Sequence, residues 1–180
     1  MLCTLTIVFC AVPITIGPIR LAVLMLVPTL VTSQTQRLGT AIFAGLFLGI
    51  TSMVTSFIAP GLLAPAFQNP LISVLPRIFI GLVTYGVYHL LKKIIKAEKV
   101  GELIAGIVSA MSGVLTNTGL VSLMLWAFYG KTGIQGTAID ATFMETVILA
   151  NFAIEIVVCT IITPPISLAV SKTMNRAGGR

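Results

Sequence analysis

Long apolar runs dominate the chain, separated by short polar or Pro/Gly-bearing stretches. Six apolar segments can be drawn, at approximately 1–16, 19–34, 37–58, 71–95, 101–129 and 141–172. A helix needs about 20 apolar residues to cross the hydrocarbon core of a bilayer. Segments three to six reach that length, whereas the first two are short and are interrupted by Pro13, Gly17, Pro18 and Pro28. Such breaks are tolerated in a membrane where protein or a water-lined cavity satisfies the freed backbone groups, and they point toward binding sites in transporters. The pattern predicts an all-α membrane protein. It would form one domain over residues 1–180, a compact bundle of six transmembrane helices with a long outward loop between helices 3 and 4.

Composition agrees with that class. Of 180 residues, 57% are hydrophobic and 9% charged, with a mean hydropathy of +1.08, against about 25% charged in soluble domains. The net charge of +6 does not mark a nucleic-acid binder, because the basic residues are spread over membrane-flanking links. Arg37, then Lys92, Lys93, Lys96 and Lys99, then Lys172, Arg176 and Arg180 fall on one side, and Arg20 and Lys131 on the other. The positive-inside rule therefore predicts a multi-pass membrane protein with both termini and the two basic links facing the cytoplasm. Loops 13–20, 59–70 and 130–140 then face outward. The first basic residue is Arg20, which argues against a cleavable signal peptide. Cys3, Cys10 and Cys159 lie in apolar stretches without metal-ligand or CxxC spacing and read as packing residues.

The polar residues inside the apolar runs carry the functional question. Arg77 is the only formal charge between Arg37 and Lys92. Such a charge costs roughly 2.5–3.5 kcal/mol to insert at mid-membrane, so it needs a partner. With Pro70 opening the fourth helix from outside, Arg77 lies about two turns in, near 10 Å at 1.5 Å per residue. Arg77, Gly81, Thr84 and Tyr88 form one helical stripe, and Gly81 leaves room near the guanidinium for a helix or a ligand. On the fifth helix Gly106, Ser109, Ser112, Gly113 and Thr116 read as a packing stripe, whereas the Asn117 amide reads as a ligand contact. Asn151 and Glu155 share a face of the sixth helix. Glu155 either pairs with Arg77 inside the protein or meets a substrate or a helix neighbour. Trp126, Phe128 and Tyr129 fit an interfacial aromatic belt, with Trp126 equally open to a ligand-wall role. Loop 59–70 is long and apolar, and reads either as a lid or as an interfacial hairpin.

Phosphate-loop, HExxH and Ser/His/Asp patterns are missing from the sequence, so neither ATP hydrolysis nor other enzymatic chemistry is expected of this chain.

The stretch Phe67-Gln68-Asn69-Pro70-Leu71-Ile72-Ser73-Val74-Leu75-Pro76-Arg77, followed by Ile80-Gly81-Leu82-Val83, resembles the S component of an energy-coupling factor (ECF) transporter, most like the pantothenate-specific branch. Gly113-Val114-Leu115-Thr116-Asn117-Thr118 is similar to that branch's fifth helix, and the likeness runs from about residue 37 onward. The resemblance implies a vitamin-capturing membrane subunit that docks on a transmembrane coupling protein and two cytoplasmic ATPases and topples to deliver its cargo. ATP and Mg would belong to those partners, with no cofactor in this chain. The family's Ala-x-x-x-Ala docking patch is not evident in residues 1–12. For pantothenate, Arg77 would take the carboxylate as a bidentate pair, and Asn69, Asn117 and Asn151 the amide and hydroxyls. Gly81, Thr84 and Trp126 complete the expected substrate-binding set. The alternatives are another vitamin, pyridoxine or a hydroxymethyl pyrimidine, or a non-transporting membrane assembly subunit.

Overall fold

The computed structural model describes residues 15–16, 19–20, 23–58, 62–95, 98–134 and 136–178. The first predicted span lies almost wholly outside them, with Cys3, Cys10, Pro13 and the 1–12 docking stretch, as do Gly17, Pro18 and Lys96. Thr15–Ile16 (β1) and Ile19–Arg20 (β2) pair antiparallel. The helices are α1 (Val23–Thr35), α2 (Leu38–Ile58), α3 (Ala64–Phe67), α4 (Pro70–Ile94), α5 (Glu98–Tyr129), α6 (Ala141–Phe143) and α7 (Ala150–Gly178). A π-helical stretch, Met144–Leu149, joins the last two.

Four helical stretches are long and apolar enough to cross a membrane: Leu38–Ile58, Pro70–Ile94, Val100–Tyr129 and Asn151–Met174. Their outward faces are apolar, with Phe43, Phe57, Leu123, Val157 and Ile161 exposed, as lipid contact requires. Apart from the two-residue strands β1 and β2, the elements described are helical, and four of them have the length and composition of membrane spans. The second predicted span differs from expectation. It is a helix, but α1 has 13 residues, about 20 Å of rise against a hydrocarbon core of about 30 Å.

That short helix is the centre of the bundle. Residues 25–34 are all buried, and α1 packs on α2, α4, α5 and α7. Met25, Leu26, Val27, Leu30 and Val31 form one core with Leu48, Ile80, Ala110, Val114 and Cys159. The α1 hydroxyls are satisfied locally: Thr32, Ser33 and Thr35 donate to the carbonyls of Pro28, Thr29 and Val31 at 2.7–2.8 Å, the back-bonding open to Ser and Thr inside helices.

Helices α2 and α4 meet backbone to backbone. Ala41, Gly45 and Gly49 recur every four residues on α2. A Cβ on Gly45 would run into the Arg77 carbonyl oxygen, and one on Gly49 would sit 2.7 Å from Val74 Cα. Ser73 Oγ donates to Gly49 O at 3.0 Å across the same seam. Small residues at such spacing are what let membrane helices pack closely.

A second core closes the Arg77 end of the bundle, with Ala66, Ile72, Val121, Leu125, Ile134, Ile139 and Phe143. Residues 59–61 of the predicted lid lie outside the described set, but from Leu62 onward the segment turns into α3 and buries Ala64 and Ala66. Ile134 and Ile139 pack in beside it, their loop closed by an Ile134–Thr137 bridge with Gly133 at φ 68°, a conformation that glycine adopts without strain.

The seam predicts opposite outcomes for two glycines. Gly45→Ala pushes α2 off α4 and costs about 1–3 kcal/mol. Gly86→Ala, where nothing lies within 4 Å of an added Cβ, stabilises α4 by up to about 1 kcal/mol. Thermal unfolding in detergent measures both, and equal behaviour of the two variants would contradict a tight α2–α4 contact.

Candidate ligand site around Arg77

The site begins at the start of α4. Asn69 has extended backbone (φ −77°, ψ 120°) and its side chain accepts the Leu71 N–H at 3.0 Å. Pro70 takes the first helical position, where a missing N–H costs nothing. Farther in, Pro76 lies inside the helix. It has no N–H to give the carbonyl four residues back, that of Ile72. Arg77 supplies the replacement: its Nη1 donates to Ile72 O at 2.9 Å. The sequence neighbours Pro76 and Arg77 thus form one unit, a break and the cation that caps it.

Arg77 is 5% exposed. Its guanidinium lies over the Phe67 ring, 4.9 Å from the centroid, so α3 covers it with an aromatic face. A guanidinium carries five N–H donors, and the Ile72 bond uses one of them. From α7, Glu155 is buried to 2% exposure. Asn151 Nδ2 donates to Glu155 Oε1 at 3.0 Å. Asn117 on α5 lies near enough to the same carboxylate to act on it, as do the charges of Arg77 and Glu155 on each other. They do not form a direct ion pair; among the described residues the ion pair is Lys92–Glu102 at 2.6 Å.

Three acceptors in this cluster are buried and unpartnered: Glu155 Oε2, Asn117 Oδ1 and Asn151 Oδ1. Buried polar atoms almost always have partners. A cation with spare donors on one side and three spare acceptors on the other is an arrangement that a small molecule with an anionic end and several donors would complete. The π-helical stretch Met144–Leu149 ends just before Asn151; such wide turns concentrate at functional sites.

The structure therefore brings Arg77, Asn117 and Asn151 together, with Glu155 among them. The other predicted site residues sit elsewhere. The Asn69 side chain is engaged in the helix cap. At Gly81 a Cβ would meet the Ala41 carbonyl oxygen, so the space there is filled by helix α2. Thr84 is buried against Gly113, its Oγ1 without a hydrogen bond. Trp126 is 68% exposed and faces outward, as a belt residue would. Phe67 and Pro76 went unread in the sequence as parts of the site. The signals were present: an aromatic two residues before the cap, and a proline directly before the lone arginine. Among the described residues, no group of three or more His, Cys, Asp or Glu could hold a metal ion.

No protein-family model matches the chain, and no curated protein matches it. What the cluster can do chemically follows from its own groups. It offers charge, donors and acceptors for holding a polar solute away from water, where such contacts gain strength.

Two variants probe it without any ligand. Pro76→Ala returns a backbone donor to Ile72 O. Because Arg77 already satisfies that carbonyl, thermal stability should rise by no more than about 1 kcal/mol; a gain near the roughly 3 kcal/mol of an uncapped interior proline would contradict the capping role. Glu155→Gln leaves the buried guanidinium without its counter-charge and should cost about 3 kcal/mol. Adding Arg77→Gln should restore part of that loss, giving a coupling of about 0.5–3 kcal/mol in a double-mutant cycle. Strict additivity would mean that the two charges are independent.

Proposed function

We propose that this protein is the substrate-binding S component of an ECF-type vitamin importer in a prokaryotic cell membrane, with pantothenate as its vitamin. The observation that carries the reading is the set of unpartnered groups around Arg77. Pantothenate has a carboxylate for the guanidinium, and two hydroxyls and an amide N–H for three acceptors. Glu155 Oε2, Asn117 Oδ1 and Asn151 Oδ1 are three such acceptors. Phe67 and the buried turn of α3 supply the apolar cover that its gem-dimethyl group would favour.

In this reading the chain has six spans, the first and the short α1 included, with both termini and the lysine-bearing links in the cytoplasm. The Arg77 end then faces outward. The subunit captures the vitamin and docks on a transmembrane coupling protein, and two ATPases that hold ATP and Mg drive delivery. A second reading keeps Arg77 and Glu155 as internal charges of a non-transporting assembly subunit. The Arg77–Ile72 bond is the observation on its side, since it gives the cation a structural task.

Thermal-shift measurements on the purified protein with pantothenate, pyridoxine and a hydroxymethyl pyrimidine decide between them. Pantothenate should stabilise the wild type. Arg77→Ala should weaken its binding about 100-fold, the loss expected of a charge-assisted contact worth about 1.5–3 kcal/mol. Arg77→Lys should bind better than Ala but below wild type, because the bidentate fork is lost. Stabilisation by pyridoxine or the pyrimidine alone would move the assignment to another vitamin. No stabilisation by any of the three, with the folded protein intact, would favour the assembly subunit.

A further inference from the structure

The end of the bundle away from Arg77 holds a cavity of about 420 Å³ between α1, α4, α5 and α7. Its walls include Gln34, Tyr88, Lys92, Glu102, Ser171 and Lys172. Basic residues at membrane helix ends need no ligand to explain them, since helix dipoles and topology favour them there. That account covers Lys92 and Lys93 in the last turn of α4. It does not account for a polar cavity of this size or for what lines it.

The charges of the wall do not cancel. Lys92 Nζ is held 2.6 Å from Glu102 Oε1, which neutralises both. Lys172 forms no ion pair among the described residues, and it lies six residues before the end of α7, so it is not capping the helix terminus. The wall therefore keeps one uncompensated positive charge. Deeper in, Gln34 is 3% exposed. Its Nε2 donates to Gly106 O at 2.9 Å and to Ser109 Oγ at 3.0 Å. Those two acceptors fix which way the amide faces, so Oε1 is an acceptor, and it is buried without a partner. One cavity thus has a spare cation at its rim, and its wall residue Gln34 carries a spare acceptor.

We infer that this cavity binds a singly charged phosphate diester that carries a hydroxyl donor. The phosphate would meet Lys172, and the donor Gln34 Oε1. A monoanion matches the net charge of the wall, and the volume suits a headgroup-sized ligand. Basic pockets between membrane helices at the bilayer surface are where anionic headgroups settle. The same chemistry belongs to a phosphatidylglycerol headgroup and to the free diester glycerophosphoglycerol.

Thermal unfolding of the full chain in detergent tests this, with phosphatidylglycerol, phosphatidylcholine of the same acyl chains, and glycerophosphoglycerol added separately. Phosphatidylglycerol should raise the melting temperature at lower concentration than phosphatidylcholine, whose headgroup has no donor. A matching rise with glycerophosphoglycerol would assign the site to soluble diesters as well; a rise with the lipid alone would assign it to the headgroup. Lys172→Gln, at an exposed position, should keep the unliganded melting temperature and weaken the response about fivefold. Lys93→Gln, exposed and outside the cavity lining, should leave it unchanged. Equal responses to the two lipids with none to glycerophosphoglycerol, equal losses in the two variants, or no response at all would each overturn the inference.

Discussion

A dehydrated guanidinium sets the terms for the Arg77 half of this bundle. In a low-dielectric interior a charge must be surrounded by groups that oppose or accept it. Arg77 draws them from three directions: the Ile72 carbonyl on its own helix, the Phe67 face from α3, and the Glu155 field from α7. Each is a local consequence of sequence. Pro76 frees the carbonyl, the α3 turn delivers the ring, and a polar stripe on α7 delivers the carboxylate. None of the three is a direct ion pair, so the cation is tolerated without being fully consumed. That partial satisfaction separates a buried charge that can still bind something from one that only stabilises a fold.

Holding the guanidinium there requires α4 to sit close to its neighbours. The Arg77 backbone carbonyl abuts Gly45, and Gly81 one turn later abuts Ala41. The α2–α4 seam thus fixes the backbone from which the side chain reaches inward. On the opposite side α1, with 13 residues shorter than a straight crossing needs, fills the bundle's axis with Leu26, Leu30 and Val31. A broken, short helix would be a poor span, but as a central filler its ends need only meet protein.

The sequence carried the class and much of the site, for reasons that individual residues make plain. Arg77, Asn117, Asn151 and Glu155 stand out because an apolar run makes any polar group conspicuous. Their periodicity puts Asn151 and Glu155 on one face, and they are hydrogen-bonded to each other. What could not be read was which neighbour each residue meets. Gly81 was open to a helix or a ligand until α2 was in place. Asn69 looked like a polar contact inside a motif, while its position before Pro70 also fits a helix cap, and the local hydrogen bond took precedence. Gln34 closes the second predicted span, where a polar residue is expected at a helix end; its importance depends on Gly106 and Ser109, more than 70 residues away.

The polar stripe of α4 runs from Arg77 past Thr84 to Tyr88 and Lys92, about 22 Å at 1.5 Å per residue. It links the region of the unpartnered acceptors to the lysine-bearing cavity, but it is not a path. Midway, Thr84 lies against Gly113, where even an added Cβ would clash with Thr84 Oγ1 and sit 2.6 Å from Leu30 Cδ2. A solute held at Arg77 could reach the other end only if α4 and α5 parted at that contact, and close-packed cores do not deform continuously. If the protein does carry a vitamin inward, as proposed, the packing favours moving the loaded bundle as a body over opening a channel through it. The energy for that movement would then have to come from partners acting on the bundle's outside, because nothing along the α4 stripe forms a gate that a solute could push open by itself.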